Sequence, residues 1–323
     1  MSEGDRLEHL ARVFAPAAAS SSDSKDGVRV GIGDDAAVLT CAAHESLVVS
    51  VDSQVEHVHF DRGWLSWEDV GYRATMAALS DLAAMGATPR AVFATLALPG
   101  DLSEAAFEAI VRGQRAACDE AGTRMLGGNL SRAAEVSVHS TVIGVVPADA
   151  PPLVRSGARA GDRVWLAGLV GRAGRACRAL LHDAASVDRD AALAPALRAF
   201  RRPRALLREG RLARELGAHA MIDLSDGLAH DVRRIAKASA VAIVLDGPTV
   251  FSASGSPSAT DDDRVLIVDG GEDFALVATA PAGVDLSNAG FAAIGVVEAG
   301  SGAWIVEERG RVELKATGYD HFP

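Results

Sequence analysis

Along this chain, apolar segments of strand length alternate with segments of helical period, and four of the apolar segments run straight into clusters of carboxylates. The clusters read GIGDDAAVL at 31–39, SVDSQVEHVHF at 50–60, MIDLSDGL at 221–228 and DGGEDFALV at 269–277, and Asp81 sits inside a helical pattern. Alternation of this kind predicts helices packed on sheets, an α/β fold. Carboxylates gathered where strands give way to loops repel one another unless cations stand between them. Oxygen-rich sites suit magnesium, which bridges protein carboxylates to substrate phosphates. Magnesium-dependent phosphoryl transfer is therefore the first chemistry the pattern suggests.

A chain of 323 residues with 49% hydrophobic content can bury a large core, and its length predicts roughly two domains. The net charge of −11, with no run of Lys or Arg, argues against nucleic acid as a partner. Cys41, Cys118 and Cys177 have neither zinc-ligand spacing nor the even count of a disulfide framework, which points to a reducing cytoplasm. No apolar stretch approaches the ~18–20 residues of a membrane span. The N-terminal MSEGDRLEHLARVF carries charges where a signal peptide is apolar.

Helices are predicted over 5–14, 66–85, 103–121, 172–182, 204–216 and 228–238, and strands over 28–32, 47–51, 91–98, 136–146, 163–167, 218–222, 242–245, 265–268 and 274–280. Ser66, with Asp69 three residues on, is a candidate helix cap, and Gly86 and Pro89 close that helix. Residues 16–27 and 252–263 read as loops. The break at 147–152 sets a domain boundary, giving domains 1–150 and 151–323.

Each cluster also has a purely structural reading. Asp34 and Asp35 after Gly33 can form a turn and helix start, and Asp223, Ser225 and Asp226 ahead of the helix at Leu228 can be capping groups. Asp81 shares a helix face with Ala74, Ala77, Ala78 and Met85, a small-residue stripe suited to packing on a sheet. An unpaired carboxylate there is costly, and either a metal or an arginine partner resolves it. His57 and His59 alternate as zinc ligands can, without an evident third ligand. Gly168, Gly171 and Gly174 miss the GxGxxG spacing, and neither a GxxxxGK[ST] loop nor a GxSxG elbow is present.

Taken in order, GIGDDAAVL, VDSQVEHVHF, LSDLAAMGATP at 79–89, GGN with Ser131 and Arg132 at 127–132, RSGARAGD at 155–162, IDLSDGL at 222–228, GGEDF at 270–274 and GYDHF at 318–322 resemble the thiamine-monophosphate kinase family. That family belongs to the superfamily of aminoimidazole ribonucleotide synthetase and selenophosphate synthetase. The resemblance spans nearly the whole chain, and the terminal GYDHF favours the thiamine-phosphate branch. It implies a two-domain aminoimidazole ribonucleotide synthetase-like α/β (α+β) fold, with mixed sheets packed with helices. The N-terminal domain is then expected to bind ATP and magnesium and to form a homodimer interface, and the C-terminal domain to complete the nucleotide and substrate site. The implied activity is ATP-dependent phosphorylation of thiamine monophosphate to thiamine diphosphate, in the cytoplasm.

By the same resemblance, Asp35, Ser50, Val51, Asp52, Asp81, Asn129, Asp223 and Asp226 hold several magnesium ions through carboxylate, hydroxyl or backbone oxygen, with Asp81, Asp223 and Asp226 as the catalytic members. Gly127, Gly128, Arg155 and Ser225 contact ATP, and His59, Glu272 and Tyr319 hold the thiamine end. The chain departs from the family at three places. Asn129 stands where Asp is common, His57 stands where Gly is usual, and RAFRRPR at 198–204 keeps only Pro203 and Arg204 of a His-x-x-Pro-x-Pro-Arg segment. Two alternatives stay open: another ATP-using member of the superfamily, and a nucleotide-binding regulator without turnover, which Asn129 favours and the retained carboxylates oppose.

Overall fold

The computed structural model describes residues 9, 10, 12–14, 28–30, 38–256 and 258–315. Asp34, Asp35, the loop predicted at 16–27 and the terminal segment with Tyr319 lie outside the described residues. The chain divides into two compact units, 1–82 with 88–151 and 83–87 with 152–323.

In the first unit, β1 (Val28–Val30) pairs antiparallel with β2 (Val38–Leu39). A second sheet is built from β3 (Glu45–Val55), β4 (Thr88–Leu98), β5 (Met125–Arg132) and β6 (Ser137–Pro147) in the order β3-β6-β4-β5. It is mixed, with β5 parallel to β4 and the other neighbours antiparallel. β3 extends well past the predicted 47–51 because β6 pairs with it residue for residue from Glu45 to Val55. Asp52 therefore lies within a strand, where a loop was expected after Val51. β5 was not predicted, since its Gly127 and Gly128 are poor strand formers; the ladder with β4 holds it extended.

Two helices of this unit, Trp67–Ala84 and Glu104–Ala121, cross at glycines. A Cβ on Gly71 would stand 2.0 Å from the Ile110 carbonyl oxygen, and one on Gly113 1.9 Å from that of Glu68. Local signals start both helices: Ser66 accepts from the Asp69 N–H at 3.1 Å and Ser103 from that of Ala106 at 3.2 Å. From Val70 to Ala84 every residue except Asp81 is buried.

The second unit is a seven-stranded mixed sheet of β7 (Arg163–Ala167), β8 (Ala220–Leu224), β9 (Ala242–Asp246), β10 (Ala275–Ala280), β11 (Phe291–Glu298), β12 (Gly302–Glu307) and β13 (Gly310–Glu313). The order is β13-β12-β9-β11-β7-β10-β8, with β12 parallel to β9 and the other neighbours antiparallel. Alternate residues of its inner strands feed two cores. Val164, Leu166, Ile222 and Val277 point to one, and Trp165, Met221, Leu276 and Ala278 to the other. Burial on both faces makes these strands read as continuous apolar runs.

The strand predicted at 265–268 is helical, as part of Asp261–Asp269. A capping box starts this helix, with Thr260 accepting from the Asp263 N–H and Asp263 accepting from that of Thr260. Four residues are too few to separate the two periods, and the cap decides between them. The predicted loop 252–263 accordingly holds the end of a helix at Gly247–Ala253 and the start of this one. The helix Ala194–Arg201 and the strands β11–β13 had no predicted counterpart. No helix among the described residues is long and apolar enough to cross a membrane.

Candidate active site

In the first unit, the alternation of β3 puts Ser50 and Asp52 on one face. Ser50 Oγ donates to Asp81 Oδ2 at 2.5 Å, tying the strand to the helix. Asp52 accepts from the Ser53 N–H at 2.7 Å. Burial, opposed by that N–H and reinforced by the charge of Asp81, pushes the Asp52 carboxyl up to about 6. Two carboxylates and a hydroxyl in mutual electrostatic reach are an all-oxygen donor set that fits magnesium and relieves its own repulsion by holding it. On the other face of β3, Leu47, Val49 and Val51 are 58%, 58% and 63% exposed.

Asn129 stands apart from this group in the ladder. It is in register with Thr95, and across the sheet with His139 and Ser53. The row of Asp52 contains Ser140, Ala94 and Gly128 instead. Adjacent rows point to opposite faces, so strand alternation does not bring Asn129 to Ser50, Asp52 and Asp81. A Cβ on Gly128 would stand 1.9 Å from the Ala94 carbonyl oxygen, so only glycine lets β5 lie against β4 here.

His59 is half-buried, and its Nδ1 accepts from the Val55 N–H at 3.1 Å. His57 is exposed, has φ 66°, and places Nδ1 2.6 Å from Asp61 Oδ1. The pair belongs to no cluster with metal-ligand spacing; among the described residues Asp226, His230 and Asp231 form one.

In the second unit, Asp223 is the next-to-last residue of β8 and only 6% exposed. The chain then turns through Ser225, Asp226 and Gly227 into the helix Leu228–Ser239. The Glu272 N–H donates to the Ser225 carbonyl at 2.8 Å and that of Phe274 to Leu224 at 2.9 Å, setting the GGEDF turn alongside the SDG turn. Glu272 and Phe274 have φ 69° and 49°, a left-handed backbone that costs roughly 1–2 kcal/mol for a residue with a Cβ. Strain of this kind is characteristic of functional turns. Asp273 points elsewhere, accepting from Gly171 N–H at 2.6 Å and Ala173 N–H at 2.9 Å. It thereby caps the helix Arg172–Asp183, whose own N-cap, Gly171, makes no side-chain bond. Burial pushes its carboxyl up to about 7 against those N–H groups. The turns at 168–171, 225–227 and 270–274 thus stand together at one end of the second sheet.

Asp226 Oδ2 lies 2.7 Å from Arg234 Nη2 and 3.4 Å from His230 Nδ1. Asp231, fully buried, accepts from the Asp226 N–H at 3.1 Å and from Arg234 Nη1 at 2.9 Å. Burial first, then the charge of Asp226, push Asp231 up to about 7. His230, Asp231 and Arg234 escaped the sequence reading because on an amphipathic helix they look like ordinary positions. Their one signal is the i+4, i+5 and i+8 spacing from Asp226. Arg155 is not beside Ser225: its carbonyl accepts from Ser239 Oγ at 2.8 Å. Ser239 ends the helix that follows Ser225, about 17 Å along its axis from the first turn.

Residues 33–146 match the model of a family described as AIR synthase related protein, N-terminal domain. Over 253 residues, 78% of each chain, the sequence is 33% identical to thiamine-monophosphate kinase of Bacillus subtilis (strain 168). The crystal structure of thiamine-monophosphate kinase from Stenotrophomonas maltophilia K279a aligns with a TM-score of 0.77 at 30% identity, covering 93% of this chain and 94% of that one. AaThiL complexed with AMPPCP and TMP aligns with a TM-score of 0.77 at 23% identity over 99% and 97%, a likeness of fold.

Proposed function

We propose, since the chain belongs to the thiamine-monophosphate kinase family, that it transfers the γ-phosphoryl group of ATP to the phosphate of thiamine monophosphate, yielding thiamine diphosphate and ADP. The observation that supports this reading is that the family's acidic motifs gather carboxylates here: Ser50, Asp52 and Asp81 give an oxygen-only set in the first unit, and in the second Asp223 and Asp226 lie within electrostatic reach of Asp231, with His230 beside Asp226. Asp35, the Val51 backbone and Asn129 complete the proposed magnesium set by resemblance alone. Magnesium held by these residues would supply positive charge to offset the negative charge that builds up in transfer.

The protein's own share is positioning. The acceptor is a phosphate monoester with a second pKa of ~6, already largely ionised near neutrality, so no general base is needed. The resemblance assigns Gly127 and Gly128 on the edge strand β5, Ser225 and Arg155 to ATP, with Arg155 resting on the resemblance alone because its backbone meets the far end of the helix that follows Ser225. Glu272, on its strained turn beside Ser225, offers a carboxylate to the cationic thiamine, and His59 and Tyr319 are assigned to the same substrate by the resemblance alone. The first unit would also form a homodimer through the exposed Leu47, Val49 and Val51, and the enzyme would work in the cytoplasm. AMPPCP and TMP, the pair bound by AaThiL, are the two ligand chemistries this reading requires.

The test is a coupled ADP-release assay in which thiamine monophosphate, ATP and magnesium are left out in turn. ADP and thiamine diphosphate should form together only when all three are present. ADP without thiamine diphosphate, or turnover indifferent to the acceptor, would point to another reaction of the superfamily.

A further inference from the structure

The helix Leu228–Ser239 starts at Gly227, which has no side chain to cap it, and groups from its first turns reach back onto the turn before it. One oxygen of the buried Asp231 accepts the Asp226 backbone N–H at 3.1 Å, and its other oxygen accepts Arg234 Nη1 at 2.9 Å. The second nitrogen of the same guanidinium, Nη2, stands 2.7 Å from Asp226 Oδ2. One arginine therefore spans two carboxylates, Asp231 sealed from solvent and Asp226 24% exposed. The planar fork of a guanidinium can do this, and the point charge of a lysine cannot. His230 Nδ1, buried and without a hydrogen bond, lies 3.4 Å from the same Asp226 oxygen.

We infer that Arg234 is an internal counter-ion for Asp226, neutralising it and keeping the turn in shape when no metal is present, and withdrawing to Asp231 alone when a divalent cation takes Asp226. The inference rests on the assignment of a metal to Asp226 made above. Asp231 is the fixed partner in this exchange. Its bond to the Asp226 backbone does not involve the side chain that changes partner, so the turn keeps its place while the carboxylate is handed over. Arg234 and Asp231 are positioning residues, acting through Asp226. Their arrangement makes every cation that binds compete with an arginine already in place.

The probe is Mn2+ binding to the full-length protein without nucleotide, followed by paramagnetic resonance, with melting temperatures taken in chelator and in Mn2+. Arg234→Met should bind Mn2+ roughly fivefold more tightly, the size expected when one half-exposed ion pair no longer has to be broken. It should melt lower than wild type in chelator and be raised more by Mn2+. A folded Arg234→Met with unchanged or weaker Mn2+ affinity overturns the inference. Should that variant fail to fold, Arg234→Lys carries the test: it keeps the charge but cannot span both carboxylates, so it should gain affinity by a smaller factor, and no gain overturns the idea. Asp226→Asn separates the two levels. If it binds Mn2+ as wild type does, the metal assignment at Asp226 falls and this inference with it. Loss of an ion in Asp226→Asn without a gain in Arg234→Met overturns the inference alone.

Discussion

Asp52 and Asp231 are both held well above the ordinary carboxylate range, Asp52 at about 6 and Asp231 at about 7, and each lies near another carboxylate. A folded-state pKa above the unfolded value means that folding favours the protonated form. The corresponding stability is complete below about pH 4 and is lost as pH rises through those values. In chelator, the melting temperature should therefore rise as pH is lowered from about 8 to about 5.5. Asp52→Asn should flatten that slope, and magnesium should do the same to the wild type. A slope indifferent to Asp52→Asn would remove this carboxyl from the account. Asp81→Asn keeps the shape of the side chain that Ser50 holds while deleting its charge. It should fold normally yet lower kcat on the order of a hundredfold, the scale of losing one charge aimed at the transition state; normal turnover at limiting magnesium would refute this. His57, where the family usually has glycine, adopts φ 66°, which explains what glycine does there. His57→Gly should raise stability by about 0.5–1 kcal/mol in chemical denaturation, less whatever its contact with Asp61 contributes.

The helices of the first unit pack backbone to backbone at Gly71 and Gly113, so a methyl group at either position has nowhere to go. Gly113→Ala should cost about 3 kcal/mol, the upper range of overpacking, because the obstacle is a carbonyl rather than a movable side chain. A loss below about 0.5 kcal/mol in urea unfolding would mean that the helices slide apart freely. Elements with local signals were legible in the sequence. Ser66 and Ser103 announce their helices, and the doubly buried strand β7 was read to its ends as Arg163–Ala167. Elements defined by a distant partner were not. β3 is as long as β6 makes it, β5 is extended because β4 is beside it, and the half-exposed strands at the end of the chain carry too weak a pattern to stand alone. The same limit applies to the site. The motif at 222–228 announced Asp223, Ser225 and Asp226, yet nothing in the spacing said that Arg155 meets the far end of the following helix. Nor did it say that Asp273 turns away from Glu272 to cap another helix.

For the molecule as a whole, the stripe of Leu47, Val49 and Val51 on an edge strand is a large apolar surface for a chain of net charge −11 to leave in water. If a second copy covers it, the wild type should sediment as a dimer and Val51→Lys as a monomer with its secondary structure intact. A wild type that is monomeric at micromolar concentration would leave the stripe without that role. The bond between Asp273 and Gly171 closes 102 residues of chain. Long-range closures of this kind carry an entropic cost that must be met before the contact rewards it, and they slow folding. During synthesis, the start of the helix at Arg172 has to wait with its N–H groups bare until residue 273 has left the ribosome. A polypeptide cut short just before that point would carry nearly every acidic motif in its sequence and lack the carboxylate that joins the turn at 168–171 to the turn at 270–274.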